Sequence, residues 1–364
     1  MLAGVSTVVR IFTLDKSVHL FAHLAFALSI AAATAHTFFR TWPFRVAAFL
    51  AIAAMFSLTE MVLAAPLILA LLRGGKRDEL LAFALPIVRI DLACVPLVLA
   101  LGGKRWRLAA ATAAGMAVQL LIMKLAFGHF LGVAALLKAP QGLADVPGNL
   151  RLNLFASSFQ LGLFAAHAAF AFVAIRARTS VLQVAAVLSF LAVHTVFNVL
   201  RGWYWVPSLV GILFVAERAN AGAKLAAVLG VAFVVHAARV PFFYAGDQRT
   251  ASTFLGELRA RVPEDAAVYT WDNPGFLGFF SGRHVVDGDG LVNDAAYAER
   301  LRSGTLAGYF DEQHICWFIG AQADADPLLD VAGLELTKEE ATLVFAVKRE
   351  RASQADFALY RICP

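Results

Sequence analysis

Through the first 245 residues, apolar runs alternate with short basic segments; beyond them the chain turns to short, mixed stretches. The basic segments are Arg40 with Arg45, "RGGKR" at 73–77, "GGKRWR" at 102–107, "IRAR" at 175–178, and Arg218 with Lys224. The runs at 17–37, 108–127, 152–174, 181–200, 204–216 and 222–243 read as helical membrane spans, several of them near the roughly 20 residues that a crossing needs.

Two further runs, 44–72 and 80–101, have basic segments at both ends and polar residues at the middle. The first centre is "FSLTEM", with Glu60; the second is "IVRIDL", with Arg89 and Asp91 between Pro86 and Pro96. One crossing apiece would strand a basic segment outside, against the tendency of Lys and Arg in short loops to stay in the cytoplasm. If each run goes in, turns and returns, all basic segments share one side. The half-spans then have roughly 10–14 residues, too few to cross. Their polar apices must be buried in protein or line a wet cavity. This threading places 128–151, "RGWYWVP" at 201–207, and everything after Phe243 outside.

After that point Asp247 is expected to cap a helix with Phe254, Leu255 and Leu258 on one face. "AAVYTWD", "HVVDGDG" and "HICWFIG" read as strands, "NPGFLGFFSGR" as a turn and a short helix, and Asp294 as the start of another helix. "ATLVFAV" and "FALYRI" read as a closing hairpin. The expected fold class is an α-helical polytopic membrane domain over 1–245, with about 8–10 spans, some broken. A small α/β extracytoplasmic domain over 246–364 follows it.

Composition agrees with that division. The 364 residues are 60% hydrophobic and 16% charged, with mean hydropathy +0.70, which is too apolar for an ordinary soluble chain. Residues 1–245 hold 20 Lys and Arg against 7 Asp and Glu, net +13; residues 246–364 hold 11 against 19, net −8. The basic isoelectric point therefore belongs to loops between apolar runs, and no continuous basic patch in polar surroundings points to nucleic acid. No cleavable signal peptide is evident at the start. Cys94, Cys316 and Cys363 lack zinc spacing. Cys316 and Cys363 lie on expected strands of the tail, either as a disulfide if that domain is outside the cell or as two small buried hydrophobes.

Ionisable residues within membrane-depth runs carry the chemistry. Arg89 can hold a phosphate bidentately; Asp91 can orient it or help to hold a divalent cation, and the bland alternative is a structural ion pair. Glu60 can bind sugar hydroxyls or act as a general base, or simply face water at an apex. Lys138 can touch a phosphate or snorkel to the interface. Arg201 with Trp203, Tyr204 and Trp205 suits an aromatic belt or sugar stacking. His19 and His23 share a helix face; like His36, His167, His194 and His236, they suit helix-packing hydrogen bonds better than metal. Asp287 and Asp289 can touch a cation or form a Gly-Asp turn. The tail lacks both GxGxxG and GK[ST] phosphate loops.

Four stretches resemble a known family: "SLTEMVLAAPLILALL", "LPIVRIDLACVPLVLAL", "FGHFLGVAALLK" and "GFLGFFSGRHVVDGDGLVN". They are similar in order and spacing to segments of bacterial GT-C-type membrane glycosyltransferases, of the polyprenyl-phosphate-sugar-dependent, arabinofuranosyltransferase- or mannosyltransferase-like branch. The resemblance covers roughly residues 45–320. It implies transfer of a sugar from a polyprenyl-phosphate donor, at the outer face of the bacterial inner membrane, to a glycan, lipid or protein acceptor. It carries the donor phosphate onto Arg89, Asp91 and Lys138, and an outer-domain motif onto Gly282, Arg283, Asp289, Gly290 and Asn293. Thr59, Ile90 and Gly288 stand where the family pattern has Gly, Pro and Leu, and no "lPn" precedes Lys138. The acidic pair that the family carries in its first outer loop has no counterpart before Glu60; Asp15 is isolated. Two alternatives stay open: a truncated, inactive relative acting as a membrane scaffold or partner, and a transporter, whose broken helices also bear central charges.

Overall fold

The computed structural model describes residues 16–53, 59–128, 130, 147, 158–177, 180–197, 205–270, 274–288, 295–303, 305–322, 342–347 and 356–363. The molecule is mainly helical with one small sheet. It divides into two compact units, 1–123 with 138–237, and 124–137 with 238–364.

The described elements of the first unit are all helical. Its elements are α1 (Lys16–Phe38), α2 (Trp42–Ala53), α3 (Thr59–Arg73), α4 (Asp78–Val88), a 3-10 turn (Ile90–Ala93), α5 (Cys94–Gly102), α6 (Trp106–Phe127), α7 (Ser158–Arg176), α8 (Val181–Phe197) and α9 (Val206–Arg218). α10 (Ala223–Arg261) follows and continues past the unit boundary. At the centre stands α9, packed against α2, α3, α7 and α8. Every residue from Val206 to Glu217 is buried, as expected for a helix that is apolar all round. Its 13 residues reach only about 20 Å, short of the roughly 30 Å of hydrocarbon that a span must cross. The run 204–216 is therefore the core of the bundle. Small residues let the helices close on it: Ala47, Ala48 and Ala51 on α2, and Ala64 and Ala65 on α3, are wholly buried.

Only Trp106–Ala126, on α6, is long and apolar enough to cross a membrane among the described residues. The other apolar helices, such as Val181–His194 and Leu161–Arg176, run 10–17 residues.

The helix ends that bear the basic segments are tied together. Arg105, just after α5, meets Asp78, the first residue of α4, at 2.6 Å. The run 80–101 thus folds back on itself, because its two ends touch. Arg73 at the end of α3 donates to the Thr37 carbonyl at 2.7 Å, and Gln183 of α8 donates to the Leu72 carbonyl at 2.7 Å. Glu217, at the end of α9, accepts from the backbone N–H groups of Arg40 and Thr41 at 2.6–3.0 Å. A carboxylate there satisfies donors that the start of α2 would otherwise leave open.

In the second unit the expected cap at Asp247 gives way to a continuous helix: α10 runs unbroken through Asp247 to Arg261. An i, i+1, i+4 pattern still buries Phe254, Leu255 and Leu258. The later elements are β1 (Ala267–Thr270), α11 (Pro274–Ser281), β2 (His284–Asp287), α12 (Ala295–Arg302), α13 (Leu306–Glu312), β3 (Ile315–Gln322), β4 (Thr342–Val347) and β5 (Asp356–Arg361). The sheet order is β2-β1-β3-β5-β4. β1 pairs in parallel with β2 and β3, each reached through helices; β5 pairs antiparallel with β3 and β4. One face packs Tyr269, Phe310, Phe318 and Tyr360 together, and the other packs Val268, Ile319 and Leu359 onto α10.

Cys316 on β3 and Cys363, just past β5, form a disulfide across 47 residues of chain. That resolves the open alternative for these two, and Cys94 is a free thiol.

Candidate functional site

The fold-back of 80–101 is sharp because the helix stops at Arg89, whose backbone is extended (φ −156°, ψ 133°). Pro86, inside α4, lacks the N–H for an i−4 bond and loosens the last turn. Pro96 sits in the first turn of α5, where that donor is not needed. Between them the 3-10 turn carries Asp91.

Asp91 grips the Arg89 guanidinium with both oxygens: Nε stands 3.0 Å from Oδ1, and the Nη2 amino group stands 2.6 Å from Oδ2. On the other side of Arg89, Nη1 is 3.9 Å from Oε1 of Glu60, which begins the first turn of α3. His194 of α8 completes the group, with Nε2 2.9 Å from Asp91 Oδ2. The Phe190 ring meets the imidazole edge to face, 4.5 Å between centres. The thiol of Cys94 donates to the Asp91 carbonyl at 3.1 Å.

The four side chains are layered. Arg89 is 24% exposed and Asp91 17%, whereas His194, behind them, is 3% exposed. A carboxylate along one edge fixes the plane of the guanidinium, and a planar guanidinium matches the geometry of a phosphate. One arginine faces two carboxylates. Among the described residues, no group of three or more His, Cys, Asp or Glu is placed to hold a metal ion.

Of the residues singled out from sequence, Glu60, Arg89 and Asp91 come together. Lys138 lies outside the described residues, as do Arg201, Trp203 and Tyr204; the side chains of His19 and His23 do also. Trp205 does not sit at a surface belt. It is fully buried against Phe164 and His167, with ring centres 6.1 and 5.8 Å away. His167 bonds within its own helix, Nδ1 to the Leu163 carbonyl one turn earlier at 2.7 Å.

Sequence reasoning grouped His194 with the packing histidines and missed its tie to Asp91. Depth was the available signal. Counted from the basic ends, Arg89 lies 11 residues after Asp78 and His194 lies 13 after Val181. At about 1.5 Å per residue the two come to similar levels in the bundle.

The outer-domain motif forms a separate group within the second unit. Gly282 has φ +69°, the left-handed turn that ends α11 and which glycine enters without strain. Arg283 then reaches back: Nε donates to the Val262 carbonyl at 2.9 Å and the Nη2 amino group to the Arg259 carbonyl at 2.7 Å. It closes the C-terminal end of α10, where carbonyls lack helical partners. Gly288 donates its N–H to the Thr270 carbonyl at 2.7 Å. A Cβ at position 288 would stand 2.6 Å from the Tyr269 hydroxyl, so a Leu there is incompatible with this Tyr. The Tyr269 hydroxyl pairs with that of Tyr297 at 2.9 Å, and Tyr297 donates to the Gly288 carbonyl. Burial, and next the Tyr297 phenol, push the Tyr269 phenol well above its ordinary range. Asp289, Gly290 and Asn293 lie outside the described residues. Asp287 is buried at the end of β2.

No family model matches the chain. No curated protein and no solved structure matches it either.

Proposed function

We propose that the helical unit is embedded in a bilayer and that the chain is a glycosyltransferase-like protein using a polyprenyl-phosphate sugar on the outer face of the bacterial inner membrane. The observation that carries the reading is the group of Arg89, Asp91, His194 and Glu60 at the apex of a fold-back whose two ends meet at Asp78 and Arg105. The apex and the basic ends lie at opposite limits of α4 and α5, so a cytoplasmic basic end puts the arginine toward the outer leaflet.

Three observations support a membrane setting. α6 turns Leu121 and Leu125 outward, 53% and 78% exposed, and α10 does the same with Val228 and Val231. Apolar helix faces of this kind need an apolar solvent. The basic segments around Arg40, Arg73, Arg105 and Arg218 are tied to one another at helix ends. The disulfide in the second unit suits an oxidising compartment.

In this reading Arg89 holds the carrier phosphate, the leaving group on which negative charge develops as the sugar departs. Asp91, itself held by His194, fixes the guanidinium. Glu60 stands on the side from which a sugar would approach.

The test is binding of a short polyprenyl phosphate to the full chain in nanodiscs. Arg89→Ala is expected to abolish it, and a folded Arg89→Ala variant that binds as the wild type defeats the assignment. Incubation with a labelled polyprenyl-phosphate sugar then separates an enzyme from an inactive scaffold: binding without transfer to any glycan, lipid or protein acceptor favours the scaffold.

A further inference from the structure

At the basic end of the helical unit, two arginines lean on a pair of aromatic rings. Phe38, at the end of α1, and Phe214, near the end of α9, meet edge to face with centres 6.2 Å apart. The Arg73 guanidinium lies over Phe38, 4.4 Å from the ring centre, and that of Arg218 lies over Phe214 at 5.6 Å. Arg73 is held further by its bond to the Thr37 carbonyl. A guanidinium stacked on a ring has already lost much of its rotamer freedom, so it gives up less on binding an anion. Its edge still presents N–H donors in a plane that matches phosphate.

The surroundings favour an anion. Arg73 and Arg218 are both exposed. Glu217, beside Arg218 in the chain, is buried and committed to Arg40 and Thr41. Arg40 and Arg77, brought to the same end by the ties described above, are exposed too. Trp42 and Trp106, the first residues of α2 and α6, stand 74% and 67% exposed there. Indoles so placed suit headgroup depth.

We infer that Arg73 and Arg218, steadied by Phe38 and Phe214, form a binding site for the phosphate of an anionic phospholipid in the leaflet at the basic end. The inference rests on the membrane setting proposed above and on no transfer reaction. The site lies at the opposite end of the bundle from Arg89, and its ligand is a structural lipid.

The experiment places the full chain in nanodiscs of phosphatidylcholine, with and without phosphatidylglycerol, and follows lipid retention by native mass spectrometry. Wild type is expected to retain phosphatidylglycerol selectively. The Arg73→Gln, Arg218→Gln pair is expected to weaken retention roughly tenfold or more, since it removes two planar guanidinium forks already held on their rings. Lys104→Gln with Arg107→Gln removes equal charge from the same end, away from the rings, and is expected to change retention less than twofold. Equal loss in both double variants overturns the site in favour of diffuse attraction. So does equal retention of the two lipids by wild type, and so does displacement of the lipid by inorganic phosphate alone. If the arginine pair fails to fold, Arg73→Lys with Arg218→Lys keeps the charge and loses the flat stacking, and unchanged retention there counts against the site. Alkaline carbonate extraction checks the membrane setting separately: release of the chain from membranes removes that premise, whatever the lipid results.

Discussion

The two units solve the placement of charge in opposite ways. In the helical unit the described Asp, Glu, Lys and Arg side chains gather at helix ends and at one apex, and apolar side chains cover both the centre and much of the outside. In the sheet unit most described charged residues lie outside, for example the Arg300–Glu312 pair at 2.7 Å, with Asp287 buried, and the apolar residues form two small cores. The comparison teaches which buried polar contacts matter in each. In the helical unit, a single carboxylate such as Asp91 or Glu217 holds several segments at once. The sheet unit has small cores and adds a covalent tie.

The largest expected effect is on that tie. Cys316→Ser with Cys363→Ser opens a loop of 47 residues, for which chain entropy implies about 4 kcal/mol. Unfolding of the sheet unit should shift by about that much, read by hydrogen exchange, with the helical unit unchanged; equal loss in both units would break the contrast. Next is Asp91→Ala. Removing one partner of a wholly buried pair costs about 3–5 kcal/mol. Arg89 is a quarter exposed and keeps Glu60 at 3.9 Å, so about 2–4 kcal/mol is expected here, together with loss of polyprenyl-phosphate binding. A stable Asp91→Ala variant that binds normally would show the apex to be passive.

Glu217→Gln should cost less, about 1–2 kcal/mol, because one acceptor oxygen remains and the charge at the start of α2 is lost. Thermal unfolding of the helical unit reads it, and Glu217→Asp should not rescue, since the shorter side chain draws back from Arg40 and Thr41. The smallest effect is at high pH. Tyr269, whose phenol is pushed up by burial and by Tyr297, contributes stability that is complete below the unfolded tyrosine value of about 10 and is lost as pH rises beyond it. Burial pushes Tyr360 in the same direction. Tyr269→Phe should flatten the fall in stability of the sheet unit above pH 10; an unchanged slope would place the effect elsewhere.

Much of this was legible in the chain. A period near 3.6 and the apolar runs mark helices, and each of the five strands overlaps a stretch that reads as one, because alternation and β-branched residues act locally. Where a helix ends was less legible. Asp247 has the chemistry of a cap, yet α10 runs through it, since a local capping preference of about 1 kcal/mol yields to a continuous backbone hydrogen-bond ladder. The likeness at Gly288 read as a departure from a pattern, and only Tyr269 explains it.

By itself the sequence determined the division into an apolar helical part and a mixed α/β part, the basic segments that mark one end of the helices, and the Arg89–Asp91 pair. These depend on residues near one another in the chain. Only the tertiary structure decided that Asp78 meets Arg105, that His194 stands behind Asp91, that α9 is the buried axis, and that Cys316 reaches Cys363. Those pairings join positions 27 to 103 residues apart. They are set by which helices and strands pack as neighbours, and no local periodicity encodes that choice.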